Sequence, residues 1–490
     1  MRWTAATAPR LRASLARVVV RGRWSLGGAL LAGALSVAPC GVVRAETLLS
    51  ALARAYAGNP DLNQSRAFVR ARDEEAPKAL AGQRPKARIT AAAGPQYSNI
   101  KIPAGRAQYT HDRSFSYDHY LGVPRGATLD VSQTLFDGGR TENSVRQAES
   151  GVFAARANLR LTEQAILQNG ATAYMNVLRD TAVAALRRNN IAVLEEQLKQ
   201  TRDRFQLGEV TRTDVAQAEA SLEQARSEFY AAQAVLKTSL AAYRQIVGAE
   251  PQRLEPVRGV EALLPKSLEE AVRIALVEHP GVAAALHQVD AGELAVKVAE
   301  GALAPTMSLN GQVSQQHDSF LGSPQTRQFS GSVSAQLNIP LYQGGAEYAS
   351  VRQAKELLGQ ARLNADLQRD SVRASVVSSY GLLDTARASI VSGQAAVKAA
   401  ETALAGVREE AKVGQRTTLD VLNAQQALLN ARVNLVSAQR DRAVASFAAL
   451  GSIGRLSARA LDLDVALYDP NVHYEQVKDS WIGLETPDGR

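Results

Sequence analysis

Between residues 141 and 207 the chain has no proline, and apolar residues return at every seventh position: Val145, Val152, Leu159, Ile166 and Ala173, with Ala148 and Ala155 between them. A heptad period with small knobs predicts one uninterrupted helix packed in coiled-coil fashion along its length. At 1.5 Å per residue it would reach about 100 Å. Residues 347 to 413 repeat the pattern, with Val351, Leu358, Ala365 and Val372 on the seam. Each stretch ends at a glycine turn, Leu207-Gly208-Glu209-Val210-Thr211 or Val413-Gly414-Gln415-Arg416-Thr417. Glycine suits a left-handed helix cap, and the following Thr and Asp suit the start of a returning helix. The returns, 212 to 247 and 418 to 453, would each span roughly 55 Å. An earlier helical segment, Asp61 to Arg84, would add roughly 35 Å, so two shorter helices stacked end to end would flank one long one.

Elsewhere the period is two. Residues 127 to 135, 306 to 314 and 329 to 341 carry apolar odd positions and mostly polar even ones, while 86 to 97 alternate less regularly. These read as four strands in two hairpins, at about 86 to 136 and 306 to 342, with tips expected as surface loops at Ser98 to Gly126 and His317 to Arg327. Aromatic residues stand near the strand ends at Tyr97, Tyr120, Phe136, Phe329 and Tyr342, as at a membrane interface. Four strands cannot close a barrel, so a membrane barrel would require several copies of the chain.

Helices and strands alike belong to an internal duplication. Gly138 and Gly344, Tyr174 and Tyr380, Gly208 and Gly414, and Asp214 and Asp420 are all 206 positions apart, whereas Leu48, Pro60 and Pro85 match Leu268, Pro280 and Pro305 at a spacing of 220. The change of 14 between the two spacings places extra length in the first hairpin. The organisation expected is repeat 1 at 46 to 248, a connector at 249 to 267, repeat 2 at 268 to 454 and a tail at 455 to 490.

The first 45 residues hold seven arginines, no acid and the apolar run Ser25 to Ala38, followed by Val43-Arg44-Ala45. This is the pattern of a secretory signal peptide, with cleavage expected after Ala45. Taking its seven arginines from 56 basic residues leaves 49 against 48 acidic ones, so the near-neutral mature chain gives no basis for nucleic-acid binding. Cys40, the sole cysteine, falls in the leader. No disulfide, thiolate metal site or cofactor is expected. No apolar run after Ala45 is long enough for a helical span, which leaves β-strands as the route into a membrane.

No catalytic constellation is present. The six histidines are scattered, and Gly138-Gly139 and Gly344-Gly345 lack the lysine of a phosphate loop; they read as strand-to-helix junctions. Asp214, Arg416, Asp420 and Asn423 lie just past the glycine turns, where a conduit made of these helices would be narrowest. Helix capping and pore chemistry are both open for them.

The duplicated unit, the strand-Gly-Gly-helix junctions and the run Val413 to Ala424, VGQRTTLDVLNA, resemble the TolC family of outer-membrane channel-tunnels over about residues 46 to 454. The resemblance implies an α+β membrane protein: a homotrimer whose four strands per chain form one 12-stranded transmembrane barrel, continuous with a coiled-coil α-helical barrel in the periplasm. It implies an exit duct for type I secretion or efflux, served by a periplasmic adaptor and an inner-membrane transporter of ABC or RND type. Asp214 and Arg416 match positions of a network that closes the periplasmic end, and Asp420 matches one of two acids ringing the constriction. Asn423 stands at the second acid's position and Ala411 at a network tyrosine's. The tips Leu207, Gly208, Glu209, Val413, Gly414 and Gln415 would meet the adaptor. A trimeric coiled-coil adhesin is the alternative, but it would gather its strands at the C-terminus; a soluble periplasmic scaffold would need no barrel.

Overall fold

The computed structural model describes residues 46–103, 115–257, 259–318, 327–487 and 489. The expected leader and the centres of both hairpin tips, 104–114 and 319–326, lie outside them. Repeat 1 comprises α1 (Leu48–Gly58), α2 (Pro60–Asp73), α3 (Glu75–Leu80), β1 (Lys86–Ala93), β2 (Gln96–Pro103), β3 (Phe115–Gly122), β4 (Arg125–Phe136), α4 (Arg140–Gln206) and α5 (Arg212–Val247). Repeat 2 comprises α6 (Leu268–Glu278), α7 (Pro280–Gly301), β5 (Thr306–His317), β6 (Arg327–Asn338), α8 (Ala346–Lys412) and α9 (Thr418–Ser452), and the tail carries α10 (Pro470–Val477).

Local chemistry sets these boundaries. The α1/α2 break falls at Asn59, whose Oδ1 accepts the Asp61 and Leu62 amides while Pro60 supplies a preset φ at the first helical position. His279 and Pro280 do the same between α6 and α7, with His279 Nδ1 accepting the Gly281 amide at 3.1 Å. The two long helices, α4 and α8, have 67 residues each. Ion pairs obey the duplication as the sequence does: Arg156–Asp73 recurs as Arg362–Glu293, and Arg226–Glu195 as Arg432–Glu401.

Packing is densest at mid-length of α4. Leu52 and Tyr56 of α1, Leu167 and Tyr174 of α4, Tyr243 of α5 and Phe447 and Leu450 of α9 form one buried cluster with Leu456, Leu461 and Leu463 of the tail. Both the connector and the tail fold into this belt. The connector bridges to Glu46 through Leu254, and α10 docks on α2 where His473 Nδ1 lies 3.0 Å from Asp73 Oδ2. Burial raises the Asp73 pKa against the opposing pull of His473 and Arg156.

The strands form an antiparallel sheet in the order β1-β4-β5-β6, while among the described residues β2 and β3 pair only with each other. The expected loop at Ser98 to Gly126 is therefore largely ladder. Pro95 and Pro124, which offer no amide to a ladder, stand between the two paired stretches. They interrupt the ladder after Ala93↔Arg125, and pairing resumes from Gln96↔Gly122 to Pro103↔Phe115. The inserted length is thus a two-stranded ribbon running past the β5–β6 end at His317↔Arg327.

Candidate functional site

Two regions carry the chemistry: the four-stranded sheet and the helical tip at its far end. Register sorts the sheet into two faces, because side chains alternate along each strand. Ile89↔Leu129, Leu129↔Val313, Met307↔Leu337 and Gly311↔Val333 align the apolar set on one face. That face is uncovered: Ile89 is 75% exposed, Val333 77% and Leu337 61%. The other face is polar and cross-linked by its own side chains, with Gln312 donating to Asp130 at 3.0 Å and Ser314 and Ser330 hydroxyls 2.9 Å apart. Exposed Phe136 and Tyr342 stand at the helix end and Phe329 at the other, bracketing the apolar band. Strands β1 and β6 leave two unpaired edges.

At the junctions Gly138 and Gly139 have φ of 70° and 77°, and Gly344 and Gly345 of 75° and 87°. These left-handed values are strained for residues with a Cβ, so the glycine pairs turn strand into helix without loss.

The tip is organised by its caps. In α5, Asp214 Oδ2 accepts the Thr211 amide at 2.8 Å and the Thr211 hydroxyl at 2.7 Å, and the Asp214 amide donates back to Thr211 Oγ1. Thr417 and Asp420 reproduce this in α9 at 3.0, 2.9 and 3.2 Å. The Thr211 hydroxyl, and for Asp420 the Thr417 amide, hold the two carboxyls below the ordinary range, so both are ionised at neutral pH. Asn423 is exposed one turn beyond Asp420, a spacing that shares a helix face. Ala411 packs half-buried among Leu404, Val421 and Leu428.

Arg416 donates to Glu410 at 2.8 Å across its own turn, an exposed pair. Within the chain it is not brought to Asp214, whose partner is Thr211. Glu209 is held by Arg204 at 3.0 Å, and the Gln415 amide donates to the Glu410 carbonyl at 2.9 Å. Gly208 and Gly414 take φ of 75° and 77° with open space around each Cβ position, so backbone conformation alone demands glycine there. Leu207 is 75% exposed and Val413 71%, leaving an apolar point on each turn.

Glu410, as the partner of Arg416, escaped the sequence reading; a pair closed across a turn leaves no helical spacing to find. The capping role that the sequence leaves open for Asp214 and Asp420 is the one each fills within its own turn.

The chain matches the family model described as outer membrane efflux protein over residues 51–249 and 271–454. It is 43% identical to outer membrane efflux protein BepC of Brucella suis over 445 residues, covering 91% of this chain and 93% of that protein. Identity to outer membrane protein TolC of Escherichia coli is 26%, covering 87% and 86% of the two chains. In fold it is similar to the Campylobacter jejuni CmeC outer membrane channel, with a TM-score of 0.70 at 17% identity over 88% of this chain and 89% of that one.

Proposed function

The chain belongs to the outer membrane efflux protein family, and from that premise we propose how its geometry makes an exit duct. It is an outer-membrane efflux or secretion channel, a member of a family of channels rather than of enzymes. The observation that carries the reading is the two-faced sheet. An uncovered apolar face of this extent matches a hydrocarbon surround, while the Ser, Asn and Gln of the other face match a water-filled interior. Lipid tolerates no unpaired strand edge, so β1 and β6 must pair with further copies. Three copies give 12 strands, an even number above the minimum of 8 for a closed bacterial barrel.

In this homotrimer the long helices continue the barrel as a periplasmic tunnel. Three Asp420 carboxylates ring its narrow end, with Asn423 one turn inside, and the Asp214 and Arg416 positions of neighbouring copies clamp it. The exposed turns Leu207-Gly208-Glu209 and Val413-Gly414-Gln415 receive a periplasmic adaptor that couples the duct to an inner-membrane transporter. BepC carries efflux in its name, and at 43% identity it supports efflux over secretion as the duct's role.

Planar-bilayer recording tests the clamp. Replacing Arg416 with Ser is expected to raise single-channel conductance several-fold, since individually weak exposed pairs act three times around one gate. Wild-type protein that forms no channel would overturn the duct; an open wild-type channel with an unchanged Arg416 variant would overturn the clamp alone.

A further inference from the structure

The tail does more than fill the belt. Beyond Leu463 it is pinned at successive points along the helical wall. The Tyr468 amide donates to the Tyr56 hydroxyl at 3.1 Å, Arg156 donates to Asn471 at 2.7 Å, and His473 meets Asp73. The Tyr474 hydroxyl then donates to Glu149 at 3.1 Å, and the Ser480 carbonyl accepts from Arg84. These partners are ordered in space. Following α4 back toward its start at Arg140 meets Arg156 before Glu149, while Tyr56, Asp73 and Arg84 lead from α1 through the end of α2 to the foot of β1. Residues 468–481 are therefore a strap that leaves the belt and rises to the sheet.

At the top of the strap the Arg84 guanidinium lies 4.7 Å from the centre of the Trp481 ring. The apolar side chains there are uncovered: Trp481 is 65% exposed, Ile482 94%, and Leu484 fully. The ladder fixes their level. Lys86 pairs with Ser132, so counting two places on sets Arg84 level with Thr134, two residues short of Phe136. Phe136 is one of the exposed aromatics that bound the apolar band at its helix end. Trp481 thus stands where that band begins and continues an apolar surface already read as facing hydrocarbon. The strap is a second layer over the helices, and in a duct such a layer leaves the lumen clear only on the outside.

Resting on the channel reading, we propose that residues 481–484 enter the periplasmic leaflet of the outer membrane, with phospholipid as their partner. Tryptophan favours the headgroup level, where its ring meets hydrocarbon and its N–H stays wet. Ile482 and Leu484 reach the first acyl carbons, while Asp479 and Glu485 on either side keep the insertion shallow. The Arg84 guanidinium, stacked on the indole, brings positive charge to the phosphate layer. Belt and bilayer are then tied by a strap on the outer wall, in addition to the strands.

Tryptophan fluorescence tests the anchor. Trp3 and Trp24 lie in the expected leader, so Trp481 is the sole tryptophan of the mature chain and reports its own surroundings. Mature channel in phosphatidylethanolamine–phosphatidylglycerol vesicles should show blue-shifted emission, strong quenching by phospholipid brominated near the glycerol, and little quenching by iodide in the buffer. I482S/L484S leaves Trp481, Arg84 and every pin in place. It should lose most of the bromolipid quenching and become several-fold more sensitive to iodide, with conductance unchanged. Red emission open to iodide, in vesicles whose channels conduct, overturns the anchor and leaves the duct standing. So does bromolipid quenching that the double variant keeps in full, since the ring would then only border lipid around the barrel. Blue emission that neither quencher reaches means that protein, such as a second copy, covers the ring, and it overturns the lipid assignment. Vesicles that hold the protein but never conduct overturn the channel reading on which the anchor rests.

Discussion

The belt and the tip of the same helices are held by opposite means. At the belt Tyr174 and Tyr243 are fully buried, burial pushes both phenols up to about 12, and the Tyr174 hydroxyl donates to the Glu46 carbonyl at 2.7 Å. Four stretches distant in sequence, 48–69, 155–178, 236–264 and 443–468, meet there. At the tip, tens of ångströms along the coil, Leu207 and Val413 face solvent and order comes from backbone caps within single turns. Rigidity in a protein follows contact density, and moving parts are drawn from its weakly held end. The contrast describes a duct anchored at mid-length with a free mouth.

The largest effect should follow from breaking the belt. Phe447 is fully buried, and Phe447→Ala should remove about 3 to 5 kcal/mol. Chemical denaturation with trimer yield checks this; a loss no greater than that of a tip variant would erase the contrast. A smaller and local effect is expected from Gly414→Val, which forces a branched side chain to a φ of 77° at roughly 1 to 2 kcal/mol. Trimer yield should hold while export fails. Lost assembly in this variant would mean that the tip supports the fold as the belt does.

Acid should act on the two regions with opposite sign. The caps lower Asp214 and Asp420. Their stabilisation is complete above the unfolded value, about 3.9, and is lost only as pH falls through the lower folded values. Burial raises Asp73, which faces Arg156 and His473, and Glu163. Each costs stability above its unfolded value, and that cost is relieved as pH falls through the raised folded value. Hydrogen exchange, corrected for intrinsic rates, should show undiminished cap protection between pH 7 and about 4.5, with protection around Asp73 and Glu163 steady or rising. Faster tip exchange across that window would contradict the cap assignment.

The sequence disclosed what repeats and missed what does not. Heptads, glycine turns and alternating strands are periodic signals, and the duplication states each twice. Among the described residues the β2–β3 ribbon has no counterpart in repeat 2, and the sequence pattern marks its place as a loop. The docking of α10, through a histidine and an aspartate 400 positions apart, has no period to betray it. At the tip the residues were legible and their local bonds only partly so, since Arg416 turns to Glu410 by side-chain geometry rather than spacing.

The central claim, a duct whose narrowest point is a ring of charge at the free mouth, meets its most direct test in the ion selectivity of single channels. The Thr417 cap keeps Asp420 ionised, so three carboxylates should favour cations and admit block by multivalent cations from the periplasmic side. With Asn423 where a second acid would stand, the block should be partial. Asp420→Ala should abolish selectivity and block, and Asn423→Asp should strengthen both. If Asp420→Ala leaves selectivity and block untouched, that carboxylate is a helix cap and nothing more, and the ring does not exist.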